Sequence, residues 1–359
     1  MNTIDPRISA LILSRATGRA AAKGRAHILS GISLSNPNLL IELVPELRPL
    51  FERSGQLKEA ASAIEKWQSE GIIPVSLQCP AYPRRLRNHP NAPLLLYLRG
   101  NRPLEALGSI DEIPTVAIVG SRSASPQGCE LASQIAAGLR RYGVCIISGL
   151  ALGIDAAAHG GALQSTNSEE CSTIAVLGNG LHQVYPASHH RLARRLIDAG
   201  GVLLSAYEPG TPPLPHHFLE RNGIIAHLSR GVVVVQAAPR SGALSTARWA
   251  LDAGAEVMAV PGSVGDTRHI GTHDLIRDGA HLVTSAEDIA SILGLTHQKE
   301  PLTITSAPSP LGKMFAKSGG TLPRHQILAP NGPLTEAELI TLEIQGTLTS
   351  LPGDLIRIN

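Results

Sequence analysis

Seven short apolar runs, near residues 116–119, 144–148, 173–177, 202–205, 231–236, 256–260 and 280–283, alternate with helical stretches between Val116 and Leu293. A run such as Val232–Val235 is apolar at every position rather than every second one, so both of its faces need cover. Doubly covered strands alternating with helices constrain the chain to an α/β architecture built on a doubly wound, mostly parallel sheet.

Three of these runs end in the same manner. Thr115–Arg122 (TVAIVGSR), Val144–Asp155 (VCIISGLALGID) and Val232–Thr246 (VVVVQAAPRSGALST) each carry an apolar strand into a Gly/Ser turn at the mouth of a helix. On one parallel sheet such turns converge on one edge. A strand end that offers backbone N–H groups beside a guanidinium is a small anion receptor.

Charge is more telling by region than in total. Residues 1–102 carry 14 Lys/Arg against 7 Asp/Glu, whereas residues 116–290 carry 12 against 14, and all twelve of those cations are arginine. Arginine presents a planar fork suited to phosphate, although a GC-rich genome would give the same bias. A P-loop is excluded, because its GK[ST] lysine has no counterpart between Gln68 and Gln298. With only ten Phe, Tyr or Trp residues, aromatic stacking is not the main source of binding energy. Cys79, Cys129, Cys145 and Cys171 form no CxxC pair, which argues against a zinc site or a disulfide framework and for a reducing cytoplasm. No apolar run approaches the length of a membrane helix.

Residues 1–65 read as short helices with Ile8, Leu11, Ile12, Leu39, Leu40 and Leu50 as core positions. A charged amphipathic helix over Leu57–Glu70 follows. The proline-rich passage Cys79–Arg102 is expected to be extended, as an edge strand with loops. Residues 66–115 thus form a connecting helix and edge segment, 116–293 the sheet domain, 294–325 a linker and 326–359 a short terminal segment. That segment ends in a hairpin turning at Pro352-Gly353-Asp354.

A nicotinamide cofactor fits poorly. The turn after the first sheet-domain strand is GSRSAS rather than GxGxxG, and the next strand ends in Ser148 where a ribose-binding acid belongs. Gly120, Ser121 and Arg122 supply donors in one loop, with an ion pair at the sheet edge as the alternative role for Arg122. Ser148, Gly149 and Gly153 form the second turn. Asp155 either caps a helix or touches ligand, and His159 shares its face, as a hydrogen-bonded structural partner or, as the alternative, half of a catalytic or metal pair. Phe218 and Arg221, three apart on a helix, can show a ring and a guanidinium together, with core packing of Phe218 as the alternative. Arg240, Ser241, Gly242 and Thr246 repeat the anion-turn pattern. The doublets His189-His190 and His216-His217 are expected at the surface, since neighbours on a helix diverge. Arg84, Arg85 and Arg87, like Arg191, Arg194 and Arg195, read as solvated faces that could extend a nucleic-acid track.

Over residues 70–293 the chain resembles the DprA/Smf family of DNA-processing proteins. The motifs that carry this are VAIVGSR at 116–122, SGLALGIDAAAHGGAL at 148–163, TIAVLGNGLHQVYPASH at 173–189, the long block at 203–262 and LIRDGAHLVTSAEDI at 275–289. The resemblance implies an extended Rossmann-like domain that binds single-stranded DNA, protects incoming DNA during natural transformation and helps to load the RecA recombinase. It implies a homodimer in the cytoplasm, with no membrane attachment, no cofactor and no enzymatic activity. By the same match, Arg122, Ser121, Ser148, Gly149, Phe218, Arg221, Asn222, Arg240, Ser241 and Gly242 line or border the DNA pocket. The N-terminal helices resemble a divergent SAM-like domain and the tail a winged-helix remnant. Two departures stand out: Gly223 replaces a family arginine, and His273 replaces an asparagine.

A second class is a nucleotide-binding or nucleotide-hydrolysing enzyme or sensor similar to the lysine-decarboxylase-like phosphoribohydrolases. Those show a PGGxGT turn with a following glutamate. Here RSGALSTA at 240–247 holds no carboxylate, and a hydrolase needs a positioned acid or base.

Overall fold

The computed structural model describes residues 4–53, 55–89, 91–164 and 171–296, and nearer the C-terminus 318, 321–328, 334–336, 339, 343 and 348–358. Residues 1–297 form one compact unit and 298–359 a second.

The first unit is organised on a nine-stranded sheet. Its strands are β1 (Ile73–Ser76), β2 (Leu95–Arg99), β3 (Thr115–Val119), β4 (Cys145–Ser148), β5 (Thr173–Leu177), β6 (Val202–Ser205), β7 (Gly231–Val234), β8 (Glu256–Ala259) and β9 (His281–Leu282). They lie in the order β1-β2-β6-β5-β4-β3-β7-β8-β9. From β6 to β9 every pairing is parallel, while β2 runs antiparallel to both β1 and β6. All seven expected strands are present. The chain winds outward from β3 through β4 and β5 to β6, then returns across β3 to lay down β7, β8 and β9. The order therefore reverses between β3 and β7, the place where open α/β sheets leave a crevice at their carboxyl ends.

Within β3, successive residues serve opposite faces. Val116 and Ile118 join a core with Ile135, Leu139, Ile146, Val233 and Met258. Ala117 and Val119 join a larger one with Ile147, Val232, Val234, Ile225 and Ala247. Each fully buried Val or Ile contributes about 1.5–3 kcal/mol relative to exposure, which explains the unbroken apolar runs.

The helices of this unit are α1 (Pro6–Arg15), α2 (Gly18–Leu29), α3 (Pro37–Leu43), α4 (Arg48–Glu52), α5 (Gln56–Ser69), α6 (Arg84–Arg87), α7 (Pro103–Ser109), α8 (Pro126–Arg140), α9 (Ile154–Ala162), α10 (His190–Asp198), α11 (Pro215–His227), α12 (Gly242–Asp252), α13 (Ile270–Arg277) and α14 (Ala286–Ile292). Their starts are set by local chemistry. Ser125 accepts from the Gly128 N–H at 3.0 Å ahead of Pro126, which fixes where α8 begins. Ser241 caps α12, and Ser285 with Asp288 forms a capping box on α14. None of the described helices is long and apolar enough to cross a membrane.

Several expectations need correction. The N-terminal helices pack directly on the sheet: Leu11, Ile12 and Leu40 share one core with β1, β2 and the strands beyond. Ile8 and Leu50 are half-buried, and Leu39 is exposed. The proline-rich passage does hold a strand, but β2 is paired on both sides and β1 is the edge; the prolines flank β2 rather than interrupt it. His217 is buried, with its ring stacked on Tyr207 at 3.9 Å.

The second unit contains β10 (Thr321–Pro323), α15 (Arg324–Ile327), β11 (Leu348–Leu351) and β12 (Leu355–Ile358). The hairpin of β11 and β12 turns through Pro352-Gly353-Asp354 as expected. β10 pairs with β12 and Leu322 packs beside Ile327, Leu348 and Ile356, so part of the stretch assigned to a linker belongs to this small sheet. Most of the remaining 294–325 segment lies outside the described residues.

Candidate nucleic-acid interface

The crevice at the switch point is a cleft of about 760 Å³. The turn after β3 gives it Gly120, Ser121 and Arg122; α11 gives Phe218, Arg221 and Asn222; the turn after β7 and the start of α12 give Arg240, Ser241, Gly242 and Thr246. Ten of the residues singled out in sequence meet there. Tyr185, Leu219 and Asp155 complete much of the wall and floor.

Arg221 forms the floor. It is only 3% exposed; its Nη1 donates to the Val176 carbonyl at 2.9 Å, and its Nε is buried with no hydrogen-bond partner. Burial pulls its pKa down, opposed by the nearby Asp155 carboxylate. Arginine retains its charge under such pressure. Phe218 sits between two guanidiniums, 5.4 Å from that of Arg122 and 6.0 Å from that of Arg221, and Tyr185 stands 5.5 Å from the same ring. These are cation–π distances. The half-buried Phe218 thus joins the cleft wall instead of vanishing into the core.

Arg122 and Arg240 are exposed on the cleft's rim. Among the described residues, none of Arg122, Arg221 and Arg240 takes part in an ion pair. Of the lining residues, three are arginines and one, Asp155, is acidic. Burial pushes the Asp155 carboxyl up, against Arg221 and the N–H donors of Ala151 and Gly149.

The second turn borders the cleft from beneath. Ser148 is fully buried and donates to the Ile118 carbonyl at 2.7 Å, which ties β4 to β3. Gly149 lies beneath Arg221: any side chain there would collide with the guanidinium. Gly153, at φ 76° and ψ −123°, precedes α9 where a Cβ would collide with the Ser121 carbonyl. These three residues support the cleft without lining it. Asp155 accepts from the Gly149 N–H at 3.1 Å and the Ala151 N–H at 3.4 Å, so it both braces this turn and reaches the floor. It does not pair with His159. That ring bonds Thr173 Oγ1 at 2.7 Å, and because Thr173 donates its single hydroxyl proton to the Ile146 carbonyl, His159 must donate from Nδ1.

Backbone donors are less available than the turns suggest. The Ser121 N–H goes to the Gln236 carbonyl at 2.7 Å, the Ser123 N–H to Ser121 Oγ and the Ala243 N–H to Ser241 Oγ. Side-chain guanidiniums, not amide groups, carry the positive potential. Asn222 Nδ2 donates to the Gly242 carbonyl at 3.2 Å and to Ser245 Oγ at 3.0 Å, clamping α11 to α12. A Cβ at Gly223 would meet Trp249 at 3.5 Å, so that position faces α12, not the cleft. His273 bonds the Gly262 carbonyl at 3.1 Å.

Sequence reading missed Gln236, which holds the two rim turns together. Its Oε1 accepts from the Ser125 N–H and its Nε2 donates to Ser125 Oγ, both at 2.9 Å. The available signal was a lone amide closing an all-apolar strand. Tyr185, 44% exposed at the cleft mouth, was also missed. Arg85 and Arg87 are not free cations on a solvated face: they donate to the carbonyls of Ala253, and of Cys79 and Tyr82.

The sequence matches the model of a family described as DNA recombination-mediator protein A over residues 74–294. It is 38% identical to protein Smf of Escherichia coli over 290 residues, 77% of this chain and 75% of that protein. It is 45% identical to DNA processing protein DprA of Streptococcus pneumoniae over 241 residues, 67% of this chain and 79% of that one. The X-ray structure of the Streptococcus pneumoniae protein superposes with a TM-score of 0.62 at 34% identity, covering 81% of this chain and 98% of its own. A structure of DNA processing protein A from Helicobacter pylori, described for its single-stranded DNA binding mode, superposes at 0.51 with 28% identity, over 59% of this chain and 92% of its own.

Proposed function

The chain belongs to the DNA recombination-mediator protein A family, the DprA/Smf proteins, and from that premise we propose that it binds single-stranded DNA without sequence preference in the cleft at the β3/β7 switch point. The observation that carries this is the set of three arginines, Arg122, Arg221 and Arg240, that line one cleft and, among the described residues, form no ion pair. The Arg221 guanidinium at the floor holds its charge against a neutral carbonyl, that of Val176, so an anion entering the cleft is a favourable partner for it. A phosphodiester supplies that anion, and Phe218 and Tyr185 offer faces for a base. None of these groups reads a base edge in a duplex groove, so affinity comes from the backbone and from stacking.

Protection of incoming DNA, delivery to the RecA recombinase, homodimer formation and a cytoplasmic location complete the proposal by family membership. Of the lining residues, Asp155 alone carries a carboxylate, and it braces a turn through two backbone N–H groups. That role favours binding over nucleotide hydrolysis. The test is a mobility-shift series comparing single- and double-stranded DNA of equal length, with nucleotide hydrolysis assayed on the same preparation. Tight single-strand binding without turnover supports the proposal. Turnover, or equal affinity for duplex, overturns it.

A further inference from the structure

We propose that the first two turns of α10 form a second phosphate track, which takes the strand as it leaves the cleft past Tyr185. The inference rests on the single-stranded DNA reading of the cleft. Its starting point is an exposed cationic face that the cleft does not use. Arg191, Arg194 and Arg195 are all exposed, while Ala193 and Leu196 are buried beneath them. Among the described residues none of the three joins an ion pair. A helical face of three unpaired guanidiniums repels itself, and a polyanion relieves that repulsion.

Position ties this face to the cleft. Tyr185 lines the cleft, and the chain runs from it through the short turn Ala187–His189 directly into α10. His189 Nδ1 bonds the Leu150 carbonyl at 2.8 Å, and the next residue, Ala151, lines the cleft. The start of α10 is thereby anchored at the rim. Arg191 and Arg195 lie one helical turn apart, a rise of about 6 Å, and Arg194, three residues on from Arg191, flanks it on the other side, so that the three spread over one face. An extended strand emerging over the Tyr185 ring meets Arg191 first and the other two next. An acidic protein surface would also suit three arginines, but it would not require their continuity with a phosphate-sized cleft.

A track beyond the cleft acts on long strands only, which separates it from the cleft itself. The experiment compares oligothymidines of about six and about twenty nucleotides across a salt series, site sizes that bracket one binding module. It uses the full chain and the variant carrying Arg191→Ala, Arg194→Ala and Arg195→Ala. The expected result is unchanged affinity for the short oligomer, about a tenfold loss for the long one at low salt, and a salt slope for the long one lower by about two. The triple Arg→Lys variant should keep most of the slope, since charge and not fork geometry is at work there. Equal long-strand affinity and slope in the alanine variant overturn the track while leaving the cleft reading intact. A matching loss on the short oligomer also overturns it, because the effect then arises inside the cleft. Failure of the unmodified protein to bind either length removes the cleft reading and the track with it.

Discussion

At the scale of single residues, the cleft depends on groups that never touch a ligand. Gly149 leaves room for the Arg221 guanidinium, and Gly149→Ala forces that side chain aside. The substitution is expected to cost about 1–3 kcal/mol of stability, read by denaturant melts, and to weaken oligothymidine binding although residue 149 does not line the cleft. A variant with unchanged affinity would show that Arg221 does not contact the strand. His159 gives a pH signature. Burial, helped by the Arg221 and His189 charges, drives its ring down to about 3, so the native state binds fewer protons than the unfolded chain between about 3 and the ordinary value of 6.5. Its contribution is therefore complete above 6.5 and is lost as pH falls through that window, by about 2 kcal/mol between pH 7 and pH 5. His159→Gln should flatten that decline in melts at stepped pH. Arg122, Phe218 and Arg221 were legible in sequence because a turn motif and a three-residue spacing place them. Gln236 was not, since it acts through hydrogen bonds to Ser125, 111 residues earlier; the brace at Asp155 is local, to Gly149 and Ala151, but depends on a turn shape that no residue pattern reports.

At the scale of elements, two turns are locked together. A Cβ at Gly153 would fall on the carbonyls of Ser121 and Arg122, and the backbone there has a conformation that side-chain-bearing residues rarely adopt. Gly153→Ala should cost about 1–3 kcal/mol and lower single-strand affinity by moving the Arg122 turn; intact binding with lowered stability would show that the two turns are independent. The strands β3 to β8 could be read directly, because burial on both faces leaves an unbroken apolar run. β2 was read as an edge, since prolines on either side resemble a strand that cannot accept a second neighbour. Its pairing with β6 depends on a partner about a hundred residues away, which no local pattern reports. The helices α1 to α5 were recognised as helices, but their shared core with the sheet was invisible for the same reason.

At the scale of the whole molecule, the chain's winding determines where the cleft lies. Reversal of strand order between β3 and β7 opens the crevice, and the sequence then furnishes guanidiniums at its rim and floor. The doubly wound class followed from alternation alone, whereas the strand order that locates the reversal required the three-dimensional pairing. Because every cleft residue belongs to the 1–297 unit, a chain ending at His297 should keep its affinity for a short oligothymidine within about twofold. A larger loss in fluorescence anisotropy would place part of the binding energy in the terminal unit. The most direct measurement is the salt dependence of oligothymidine affinity for the unmodified protein and for Arg122→Ala. With guanidiniums gripping phosphates, log affinity falls linearly with log salt, and removing Arg122 lowers both the affinity and the slope, the latter by about one. An identical slope and affinity in the variant would contradict a phosphate cleft at this edge of the sheet.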